Sequence, residues 1–168
     1  MKHETRAELE ATLARYDEKL SEAERRSAAV RAAQAEFPDR FAALKTDTIR
    51  PVLQEFMTVL GTYGHVATAR EQEESSSTSG GITLAAISLR VIPKPYTQKA
   101  VEKNNNFVEI TFSANRNERK ITVSSTNTII NSGGSRGKRG EYDLESVTTE
   151  VVAGHVMHTL NEAFVEPR

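Results

Sequence analysis

Residues 133–137 read Gly-Gly-Ser-Arg-Gly, a G-x-S-x-G frame. In such a frame a serine acts as a nucleophile when a strand turns sharply into a helix and lifts it above a sheet. Asp143 and then His155 or His158 follow in the chain order that those hydrolases use. Two features oppose that chemistry. Asp143 comes only eight positions after Ser135, and the intervening Lys138, Arg139, Gly140 and Glu141 have no helical face. The stretch also fails as a phosphate cradle. With Gly137-Lys138 as its G-K pair, the first glycine would fall on Ser132, and Arg139 replaces the hydroxyl that ligates magnesium.

Histidine offers another constellation. On a helix His155, His158 and Glu162 fall within about 80° of one another, so two of them can reach one cation. A structural site needs a fourth ligand, and the spacing marks none. The helices carry many carboxylates, but no two acids have the apolar flanks that raise a carboxyl pKa. A non-enzymatic protein is expected, with neither metal nor cofactor.

Cations remain. Arg136, Lys138 and Arg139 sit on a glycine-rich stretch, 133–140, and Arg116, Arg119 and Lys120 sit in a neighbouring turn. Converging on one edge of a sheet, the two sets would form an anion-binding or nucleic-acid-binding surface. Phe107 and Tyr96 are the only aromatics placed for base stacking, and a pI near 6.4 weakens long-range attraction. The simpler expectation is a solvated loop over 131–142.

Composition bounds the rest. The chain has 168 residues, of which 38% are apolar and 6% aromatic, with no Trp. That suits one modest core plus an extension outside it. No cysteine is present, which excludes disulfides, thiolate metal sites and cysteine nucleophiles. The first residues lead directly into a charged segment with no leader-like apolar stretch, so a cytoplasmic location is expected. The net charge of −1 hides an uneven distribution: residues 75–142 hold ten cations and four anions, between two acidic ends.

The elements that would position these groups follow from periodicity. From Arg6 to Phe37 there is no Gly or Pro, and Ala, Glu and Arg dominate. Steps of four and three from Leu9 land on Leu13, Tyr16, Leu20, Ala23, Ser27, Val30, Gln34 and Phe37, the heptad seam of a coiled coil. Ser27 and Gln34 weaken it. In a parallel pair Lys19 meets Glu24 of the partner, which is favourable, whereas Arg26 meets Arg31. The other way to cover the seam is an antiparallel hairpin with the next helix. Residues 1–37 are therefore expected to be a helical self-association segment and 38–168 a compact domain.

Pro38 is expected to separate the first helix from a second, whose stripe runs through Phe41, Leu44, Ile49, Leu53, Phe56, Leu60 and Tyr63. Pro51 should kink or restart this helix near Thr48 to Arg50, and Gly61 and Gly64 mark its end. His65 is placed to cap the helix carbonyls. Val66 to Glu71 reads as a first strand, Ser75 to Gly81 as a flexible connection, and Ile82 to Ile92 as a strand with a bulge near Ala85 and Ala86. Thr97 to Asn106 reads as a loop. Val108, Ile110 and Phe112 alternate with polar residues, as do Ile121 and Val123, predicting an antiparallel pair around a turn at Asn115 to Glu118. Ile129 and Ile130 extend the second of these strands.

A last helix is expected from Val147 to Phe164, capped by Ser146 or Thr148. Val152, Val156, Leu160, Ala163 and Phe164 form its core face, while Val147 and Val151 point away and suggest a second contact. The class is α+β: a long coiled-coil-like helix, a kinked second helix, an antiparallel sheet of three to five strands, and a C-terminal helix packed on it. The expected role is an interaction module. It would form a homodimer, or dock a partner helix, through Leu9, Leu13, Tyr16, Leu20, Ala23, Val30, Val147 and Val151.

Overall fold

The computed structural model describes residues 3–94, 96–98, 103, 105–129 and 134–164. Helix α1 (His3–Leu44) passes through one π-helical turn, Lys45–Ile49, into α2 (Arg50–Thr62). Among the described residues seven strands follow: β1 (Val66–Gln72), β2 (Ser75–Ser76), β3 (Ile82–Thr83), β4 (Ala86–Ile92), β5 (Val108–Asn115), β6 (Lys120–Asn127) and β7 (Ser135–Asp143). Helix α3 (Thr149–Ala163) is the last described element. The class is α+β, with a five-stranded antiparallel sheet in the order β1-β4-β5-β6-β7. Two compact units divide the chain, Met1–Glu36 and Phe37–Arg168. The first is helical throughout its described residues.

A separate second helix beginning at Pro38 and kinked at Pro51 is not present. Helix α1 runs through Pro38, and the irregularity falls at Lys45–Ile49, where the Arg50 N–H reaches back to the Lys45 carbonyl. Proline inside a helix costs about 3 kcal/mol. Buried Phe37, Phe41 and Leu44 anchor the turns around it and offset that cost. The π turn has a sequence cause: the stripe skips five positions from Leu44 to Ile49, one more than an α-helix tolerates on a single face. The wider turn brings both residues into the core. Pro51 then lies in the first turn of α2, directly after the π turn.

Helix α2 ends where the glycines predict. Gly64 takes φ +82, and the His65 N–H bonds the Leu60 carbonyl at 3.0 Å, the long bond of a Schellman ending. The His65 ring does not cap these carbonyls. Its Nδ1 accepts the Lys94 backbone N–H at 3.3 Å, and its face stacks on Phe164 at 5.0 Å.

In the sheet, β5 and β6 alternate strictly. Val108, Ile110, Phe112 and Ala114 are buried with Ile121, Val123, Ser125 and Asn127 against α3. The β4 strand begins only at Ala86, because Ile82–Thr83 pairs with Ser75–Ser76 as a small ribbon across the expected flexible connection. Ile129 is buried beyond the end of β6, and Ile130 lies outside the described residues. Thr148 caps α3, its hydroxyl accepting the Val151 N–H.

The largest correction concerns the glycine-rich stretch. Residues 135–143 do not form a loop; they pair along all of β6 as β7, with a bulge at Arg139 between the pairs Val123↔Gly140 and Ser124↔Lys138. Residues 131–133 lie outside the described residues.

Candidate functional site

Helix geometry places the expected seam of the first unit on one stripe. Leu9, Leu13, Tyr16, Leu20 and Val30 are 43–62% exposed. Ala23 is exposed too, as is every other residue from 3 to 32. Two i,i+4 pairs, Arg6–Glu10 and Arg26–Glu22, brace the helix surface. Such pairs contribute only about 0.2–0.5 kcal/mol each. Most helical stability in proteins comes from packing of an apolar face, so this exposed stripe calls for a cover.

Val147 does not belong to that surface. It is 4% exposed, inside the core. The helical wheel misplaced it because α3 begins only at Thr149; Val147 lies in the extended link after a 3₁₀ turn at Leu144–Ser146. Val151 is half-buried and faces a groove, described next.

Between the edge of β7 and the flank of α3 lies an open groove of about 530 Å³. The strand side presents Lys138, Arg139 and Tyr142. The helix side presents Glu150, Val151, Gly154, His155 and His158. Gly154 leaves the helix surface low, since nothing lies within 4 Å of a Cβ built there. Across the groove the Tyr142 hydroxyl and His155 Nε2 are 2.6 Å apart, with their rings edge to face. Burial holds the His155 pKa below the usual 6.5, and nearby His158 and Arg139 push the same way.

Sheet register decides where the six predicted cations go. Lys120 bonds Asp143 at 2.7 Å, Lys138 pairs with Glu141, and Arg116 lies 3.5 Å from Glu74. Arg139 turns from the bulge to the helix side, where it donates to Ser125 Oγ at 2.6 Å and grips Glu162 with two guanidinium nitrogens. Arg119 takes φ +54 in the β5–β6 turn. Neither Arg119 nor Arg136 forms an ion pair with a described residue.

The two basic sets do not converge. Asp143 pairs with Lys120 at one end of the ladder and Arg136 with Thr126 at the other. At 3.3–3.4 Å per residue that separation is about 20 Å. Of the aromatics considered for base stacking, Phe107 lies under the Arg90 guanidinium, 4.0 Å from its carbon, and Tyr96 packs on the core.

The residues that suggested catalysis are also dispersed. Ser135 Oγ accepts from Arg139, Asp143 is held by Lys120, and His155 is turned to Tyr142. His158 Nε2 lies 3.2 Å from Glu162. Among the described residues no three His, Asp or Glu side chains converge as a metal site.

Sequence reasoning missed the groove because Tyr142 had no partner in sight. It also missed Lys45, whose side chain is 6% exposed and lies 3.3 Å from both Glu71 and Glu73. Hydrogen bonds from Arg50 and Lys45 hold the Glu71 carboxyl below its usual pKa, against the opposing effect of burial. No described helix is long and apolar enough to cross a membrane. Compared with known proteins, the chain matches no family, no curated protein and no solved structure.

Proposed function

We propose that this protein is a non-enzymatic assembly module of the cytoplasm, and that it forms a homodimer through a parallel coiled coil of its N-terminal helix. The observation that carries this reading is the exposed stripe Leu9, Leu13, Tyr16, Leu20, Ala23 and Val30 on a segment with no buried residue between 3 and 32. Fully burying a large side chain contributes about 1.5–3 kcal/mol. These side chains, already about half covered by their own helix, would each contribute part of that, set against the cost of association and ordering.

A second copy of the same helix is the occupant that its charges favour. In parallel register Lys19 faces Glu24 of the partner. The opposing Arg26–Arg31 contact is softened because Arg26 is already paired with Glu22 in its own helix. In the antiparallel register that aligns Leu20 with Ala23, Lys19 meets Arg26 and Asp17 meets Glu24, so like charges face each other on both flanks. Polyanion binding by the six cations has less support, since four of them are held by carboxylates.

The absence of cysteine gives a clean test. In a parallel pair position 27 faces its own copy, so the Ser27→Cys protein should cross-link under mild oxidation to twice 18.6 kDa. Adding Leu13→Glu and Leu20→Glu should abolish the cross-link. No cross-link in the single variant, with helix amides that exchange equally fast at low and high protein concentration, would overturn the reading.

A further inference from the structure

The β7 strand is the last in the sheet, and no described strand pairs with its outer side. Nine residues long, it leaves a row of backbone donors and acceptors open, a template for another strand. Its side chains carry a pattern that points to the occupant. Because Arg139 is a bulge, the register places Arg136, Lys138, Glu141 and Asp143 on the same face, opposite Thr126, Ser124, Thr122 and Lys120. That face is the one turned away from α3. Read from Ser135 to Asp143, the order is two cations, the bulge, then two anions.

We infer that β7 pairs antiparallel with β7 of a second copy, about a two-fold axis at the Arg139–Gly140 bulge, joining two five-stranded sheets into one. About that axis Arg136 faces Asp143 of the second copy and Lys138 faces its Glu141, so the pairing shares or exchanges the Lys120–Asp143 and Lys138–Glu141 pairs that each chain makes within itself. A two-fold axis normal to the sheet requires paired residues to lie on the same face. An uninterrupted strand could not bring residues 136 and 143, or 138 and 141, together in this way, because each pair sums to an odd number. The bulge supplies the one-residue shift that makes the pairing consistent.

Three further observations fit. Arg136 is exposed and forms no ion pair with a described residue, so it is available to a partner. Gly137 has open space where a Cβ would stand, and that position faces Tyr142 of the second copy. The two Arg139 residues, which lie beside the axis with each facing Gly140 of the other copy, are already neutralised by Glu162.

The groove beneath α3 is the space that an added strand enters, and low Gly154 with half-buried Val151 lies beside it. Lysine and a bulge also serve as guards on free edges. Here mirrored anions convert that guard into a code that excludes foreign strands and admits the chain's own.

The experiment uses the full chain carrying Leu13→Glu and Leu20→Glu, so that the helix seam cannot contribute. In that background sedimentation should still give twice 18.6 kDa. One charge variant, Arg136→Asp with Lys138→Glu, makes the strand all acidic. The other, Glu141→Lys with Asp143→Arg, makes it all basic. Each alone should sediment as a monomer, and the two mixed should restore the dimer. A monomer before any charge change would overturn the proposal while leaving the helix reading intact, as would a dimer that neither charge variant disturbs. A β7-dependent dimer alongside a Ser27→Cys chain that never cross-links would sink the helix reading instead.

Discussion

The Tyr142 hydroxyl meets His155 Nε2 at 2.6 Å, and this bond joins the edge strand to the C-terminal helix. It depends on Gly140. A Cβ there would stand 2.8 Å from Tyr142 Cε2, so the phenol lies across the glycine, the two being neighbours on one face of β7. Gly140→Ala should displace the ring, break the bond and cost about 1–3 kcal/mol. Tyr142→Phe keeps the ring and should cost about 0.5–1.5 kcal/mol. In a Tyr142→Ala background the Gly140→Ala change should add little, which urea denaturation of the four proteins would reveal as coupling.

The same histidine gives stability a pH dependence. Burial lowers the His155 pKa from 6.5, so folding favours the neutral ring. Its contribution is complete above the unfolded value and is lost as pH falls through the lower folded value. Stability of the native protein should therefore fall as pH drops below about 6.5 and go on falling until pH passes the lower folded value. His155→Gln should show a smaller drop over the same interval. Equal drops in the two proteins would show that the ring is no more protected than in the unfolded chain.

Thr159 faces the sheet from α3, and its buried hydroxyl has no hydrogen-bond partner among the described residues. Thr159→Val is close to isosteric and removes an unsatisfied group whose burial costs about 1–3 kcal/mol. The variant should gain stability and unfold at higher denaturant with an unchanged slope. A loss instead would mean that the hydroxyl finds a partner in solution.

Ser27 occupies a core position of the proposed coiled coil. Replacing it with isoleucine, the residue preferred at such positions in parallel dimers, should tighten association about tenfold or more. Sedimentation equilibrium measures this directly, and affinity that does not change would place Ser27 outside the interface.

Periodicity and punctuation by themselves determined the local elements. The alternation in β5 and β6, the glycine-marked end of α2 and the core face of α3 from Val152 to Ala163 could all be read from the chain, although Phe164, expected on that face, is exposed. Side-chain spacing and capping chemistry are local, and they act whatever lies nearby. The five-residue step from Leu44 to Ile49 is a signal for the π turn, but a plain helical stripe broken at Pro51 missed it. Only the tertiary structure decided that Ser135–Asp143 is a strand. Its glycines and charges oppose a sheet by propensity, but the open side of β6 offers a full ladder of hydrogen bonds. Tertiary structure also buried Val147, distributed the cations among acids from Glu74 to Glu162, and set Tyr142 against His155. Each of those outcomes depends on groups distant in sequence, whose approach is governed by packing of the whole core rather than by any local pattern.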